Sequence, residues 1–153
     1  MPNPFQEMSA AAVTALSNLD TPITAVRTRM HRFSPQHFAT MFGDDPVVIV
    51  SKGNLDRGLN NQCRDSRVAN VTLMVTIVDD DERCDPTDTA TQDVFDEFVN
   101  SVEKGLATYL QTTTYGRAVW LNTTEVDDND ITRGLGEFLT TLEITYRIES
   151  TEV

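Results

Sequence analysis

The chain has 153 residues, of which 39% are hydrophobic and 24% charged, and its formal net charge is −12. A chain of this length can bury ~70% of the surface it exposes when unfolded, so one domain spanning residues 1–153 is expected. The composition excludes intrinsic disorder, and the acidic balance argues against a phosphate backbone as a direct partner of the surface as a whole.

No apolar stretch approaches the ~20 residues that span a bilayer, so no membrane partner is expected. Met1-Pro2-Asn3-Pro4 lacks the basic start and apolar run of a signal peptide. The sequence therefore predicts synthesis in a cytoplasm, where Cys63 and Cys84 would be free thiols.

Asn3-Pro4 reads as a helix start, with asparagine as the cap and proline in the first turn. Phe5, Met8, Ala12, Leu16 and Leu19 then recur at spacings of three and four, one apolar stripe along a helix that Asp20-Thr21-Pro22 ends. Ile23 to Phe33 alternates as a strand, with Val26, Thr28 and Met30 on one side and Arg27, Arg29 and His31 on the other. Ser34-Pro35 restarts a short helical turn carrying Phe38, Met41 and Phe42.

After the turn at Gly43-Asp44-Asp45-Pro46, the β-branched run Val47-Val48-Ile49-Val50 predicts a strand buried on both faces. Residues 52–66 are polar and contain Gly53 and Gly58; they read as a long loop or an irregular hairpin arm. Arg67 to Val78 is the clearest strand, with Ala69, Val71, Leu73, Val75 and Ile77 on one face. The run Asp79-Asp80-Asp81-Glu82 stops it.

Thr89 to Leu110 predicts a second long helix, whose stripe is Val94, Phe95, Phe98, Val102, Leu106 and Leu110. Ala118 to Thr124 reads as a short strand and Glu125 to Gly136 as an aspartate-rich turn. Leu135 to Glu149 closes the chain as a strand with Phe138, Leu142, Ile144, Tyr146 and Ile148 on one face. The order is α–β–(short α)–β–β–α–β–β. It predicts an α+β fold: a twisted, mostly antiparallel sheet with two long helices packed on its apolar face. The other face is expected to be wet or to meet a partner.

Chemistry-bearing motifs are sparse. The acidic runs at 79–82 and 127–130 lack the alternating ligands and the glycine of a calcium loop. His31, His37, Cys63 and Cys84 include no close pair of the kind zinc modules use. Gly-x-Ser-x-Gly does not occur, and Gly134-x-Gly136 lacks the rest of a dinucleotide signature. The expectation is a protein with no catalytic residues, no metal and no cofactor, one that works by assembling with other subunits.

The order of patterns resembles one family. The run Pro46-Val47-Val48-Ile49-Val50 is followed by a polar arm, then by Arg67-Val68-Ala69-Asn70-Val71-Thr72-Leu73-Met74-Val75. An acidic loop leads to Asp93-Val94-Phe95-Asp96-Glu97-Phe98, and the closing strand holds Ile144-Thr145-Tyr146. Over residues 5–149 this is similar to the tail terminator (tail-completion, minor tail) proteins of long-tailed bacteriophages. The segment Ser34–Phe42 and the arm 52–66 are longer than in the plainest version of the pattern.

The resemblance implies a virion protein, assembled in the cytoplasm of a host bacterium, that forms a homo-oligomeric ring, a hexamer in known members. Such a ring sits on the last ring of tail tube protein, stops tube growth and offers a surface to the head–neck connector protein. DNA would be only cargo in the channel, whose acidic wall would repel it. The alternatives are another neck or head-completion protein and, from a different class, a small-molecule-binding α+β domain.

Charge segregation names the surfaces at which subunits would meet. Arg27, Arg29 and Arg32 form the densest basic cluster, while acids cluster at Asp79, Asp80 and Asp81 and at Asp127, Asp128 and Asp130. Complementary patches on one chain give a heterologous contact, which closes into a ring when the rotation allows.

Overall fold

Apolar spacing and local capping set the helices. In the computed structural model, which describes residues 4–28, 45–59, 67–79, 87–107, 109–111, 117–126 and 138–150, α1 runs Pro4–Ser17. Its stripe of Phe5, Met8, Ala12 and Leu16 is buried, with Leu19 partly buried behind it. Asn18 and Leu19 close the end with bonds back to the Ala15 and Leu16 carbonyls, a tightening of the last turn that satisfies acceptors a helix end leaves open.

The second helix, α2, is Thr89–Leu106. Asp88 caps it in an extended conformation, its carboxylate accepting from the Ala90 N–H at 3.1 Å and from the Thr91 hydroxyl at 2.9 Å. Asp88→Ala is expected to cost about 0.5–2 kcal/mol, measured by denaturant unfolding of the purified chain.

The stripe of α2 differs from the expected one in two ways. Val94 is 65% exposed; the buried line is Phe95, Val102 and Leu106, with Phe98 and Val99 partly buried beside it. The helix also stops at Leu106 rather than Leu110: the Ala107 N–H returns to the Glu103 carbonyl, and the chain departs into the sheet. Leu110 is buried, but from a strand. A spacing of four from Leu106 is the same for a further helical turn and for the next inward position of a strand.

The strands are β1 (Thr24–Arg27), β2 (Val47–Leu59), β3 (Arg67–Asp79), β4 (Tyr109–Gln111), β5 (Arg117–Val126) and β6 (Phe138–Ser150). They form one sheet in the order β1-β2-β3-β6-β5-β4. The pair β1/β2 is parallel and every other pair antiparallel, so the α+β sheet is mixed and mostly antiparallel. The short helical turn expected at Ser34–Phe42 lies outside the described residues, as do Cys63 and Cys84.

Of the two forms expected for residues 52–66, residues 52–59 take the irregular hairpin arm rather than the loop. β2 continues through them to Leu59, paired with β3, with one irregularity between Lys52 and Leu55. That irregularity absorbs the polar, glycine-containing stretch that carries no strand alternation. Gly53 lies against the neighbouring backbone: a Cβ there would stand 2.7 Å from the Thr72 carbonyl oxygen.

One face of the sheet holds Val48, Val50, Val71, Leu73, Val75, Ile77, Leu142, Ile144, Tyr146 and Ile148, which form a single cluster with the buried residues of α1 and α2. The opposite face departs from expectation. Asn70 and Arg147 are exposed there, but Val47, Ile49, Ser51 and Val78 are fully buried within the single chain. The run Val47–Val50 is thus buried on both faces, as its β-branched composition predicts.

Buried hydroxyls on this second face find partners. Ser51 donates to the Met74 carbonyl at 3.2 Å, and Thr72 meets Thr145 across the strands at 3.0 Å. No helix among the described residues is long and apolar enough to cross a membrane.

Candidate subunit interface

Among the described residues the sheet ends on two open sides. β1 is its first strand, hydrogen-bonded to β2 on one side by bonds that include Thr24 N–H to Pro46 O and Thr28 N–H to Val50 O, both 2.9 Å. On the far side, β4 is three residues long and covers only Arg117, Ala118 and Val119 of β5. From Trp120 to Val126 the outer side of β5 has no strand beside it among the described residues. A strand edge in this state presents unpaired N–H and C=O groups at alternate residues.

Arg27 sits at the end of β1 and is exposed. Its guanidinium donates to the Gln6 carbonyl of α1 at 3.4 Å, longer than a well-formed hydrogen bond. A cleft of about 260 Å³ opens beside it, lined by Phe5, Gln6, Ser9, Arg27 and Thr28.

Asp79, by contrast, ends the interior strand β3, opposite Phe138 of β6; it is half-buried and already engaged within the chain. Of the other expected interface residues, Arg29, Arg32, Asp80, Asp81, Asp127, Asp128 and Asp130 lie outside the described residues.

The feature that sequence reasoning missed is on β5. The spacing predicts a turn from Glu125, yet β5 runs to Val126, so Glu125 is an exposed strand residue. The β-branched Thr123, Thr124 and Val126 were the available signal. A shift of register between Trp120 and Asn122 breaks the alternation that would have extended the strand. At that bulge the Trp120 indole N–H donates to the Thr123 hydroxyl at 2.9 Å. Two of the exposed large apolar side chains, Val119 and Leu121, stand on the same strand.

Burial pushes the Tyr146 hydroxyl well above the usual tyrosine value, and that hydroxyl donates to the Leu106 carbonyl at 2.6 Å. It therefore holds the end of α2 against the sheet. Among the described residues no group of three or more His, Cys, Asp or Glu side chains is placed to hold a metal ion. Compared with known proteins, the chain matches no family model and no curated sequence.

Proposed function

We propose that this protein is a structural ring subunit of a bacteriophage tail: it caps the tail tube, stops its elongation and provides the docking surface for the head–neck connector. Support comes from the order of sequence patterns shared with tail terminators and from an architecture in which two helices back one side of a sheet. The observation that carries the reading is the pair of sheet sides, at β1 and β5, that no strand covers among the described residues, since a ring subunit must offer two different surfaces to its two neighbours. The net charge of −12 suits the wall of a channel that passes DNA without holding it.

Native mass spectrometry and electron microscopy test the reading, with and without tubes assembled from the tail tube protein of the same phage. Closed rings that seat on tube ends and halt elongation are expected. A chain that stays monomeric and leaves tube growth unchanged overturns the proposal. Rings that ignore tube ends and bind only the neck transfer the protein to the head-completion reading.

A further inference from the structure

The pairing register places opposite charges at the two ends of one row. Arg27 of β1 is the partner of Val50, Val50 of Val75, Val75 of Leu142 and Leu142 of Glu125. The three interior members belong to the helix-side core, while Arg27 and Glu125, at the row's ends, are exposed. The adjacent row behaves alike: Val26, Ile49, Thr76, Thr141 and Val126 are successive partners, with partly buried valines at both ends.

Strand directions match as well. β1 runs with β2, against β3, with β6 and therefore against β5. Setting a second copy beside the first with its sheet continued brings β5 of one copy antiparallel to β1 of the next.

We infer that copies of this chain join edge to edge, β1 of one against the open side of β5 of its neighbour, so that Arg27 meets Glu125 of the neighbouring copy and Val26 meets its Val126. This deepens the ring reading and rests on it. Main-chain bonds across the junction pair edge N–H and C=O groups that have no strand beside them among the described residues of either copy. An ion pair at the exposed end of a row adds little strength, but it selects register and opposes reversed docking. In the sequence, Arg29 and Arg32 follow Arg27, and Asp127, Asp128 and Asp130 follow Glu125, so both edge strands lead into segments of the same sign as their end residue. Because the two edges differ, the contact is heterologous and propagates until it closes.

The test is charge reversal on the full chain, read by sedimentation velocity beside circular dichroism. Arg27→Glu and Glu125→Arg should each remain folded yet lose assembly at concentrations where the unmodified chain is oligomeric, and the double reversal should restore it. A second arm joins Arg27→Cys to Glu125→Cys with Cys63→Ser and Cys84→Ser; oxidation should give a ladder of covalent multimers ending at the ring size. Oligomers that survive both single reversals, or a four-fold variant that forms no intermolecular disulfide, overturn the edge contact and leave the ring reading standing. Loss in both singles without rescue in the double overturns the direct pairing. An unmodified chain that is monomeric at every concentration overturns the ring reading and this inference together.

Discussion

Leu73→Ala is expected to destabilise the protein by about 2–5 kcal/mol, read as a fall in the urea midpoint at unchanged m. Leu73 is fully buried in the middle of β3, opposite Lys52 of β2 and Ile144 of β6, and belongs to the cluster that both helices cover. Truncation removes apolar surface from a site fenced by strands on both sides, where the backbone cannot collapse into the void. The companion measurement is Val94→Ala, which should fall within about 0.5 kcal/mol of the parent because Val94 projects into solvent. A large cost at Val94 and a small one at Leu73 would reverse the assigned faces. Phe98, only partly buried, should cost less on truncation than the ~3–5 kcal/mol of a fully buried phenylalanine.

Tyr146→Phe is expected to cost about 1–3 kcal/mol, since it leaves the Leu106 carbonyl without its buried donor at the helix end, where no intrahelical N–H replaces it. The same substitution should change the alkaline limb of the stability curve. A tyrosine ionises by losing its proton, and burial raises the folded-state pKa above the unfolded value of about 10. Below pH ~10 both states hold the proton and the stability is fully present. As pH rises further, the unfolded state releases the proton first, so stability falls until the folded-state pKa is passed. Unfolding free energies measured between pH 8 and 11 should decline less steeply in Tyr146→Phe than in the parent. Equal slopes would show that Tyr146 is not the buried phenol.

Much of the architecture is written in short-range patterns. The α1 stripe and the inward face of β3 follow from spacing, because side-chain periods of 3.6 and 2.0 are properties of the local backbone, and the doubly buried run Val47–Val50 follows from its β-branched composition. The α2 stripe shows where that logic weakens. Val94 and Phe95 are adjacent apolar residues, and only packing against the sheet decides which one turns inward. Leu110 is the same case at the other end, inward under a helical or an extended backbone.

By itself the sequence determined the element types, most of the core and the segregation of basic from acidic segments. Each of these depends on residues within a few positions of one another. Tertiary structure alone decided which strands became neighbours, that β1 lies parallel to β2, that residues 52–59 form the hairpin arm rather than the loop, and that Arg27 and Glu125 stand at opposite ends of one row. Those outcomes rest on hydrogen bonds between segments far apart in the chain, whose register is chosen by burial of the whole sheet and leaves no local trace in composition.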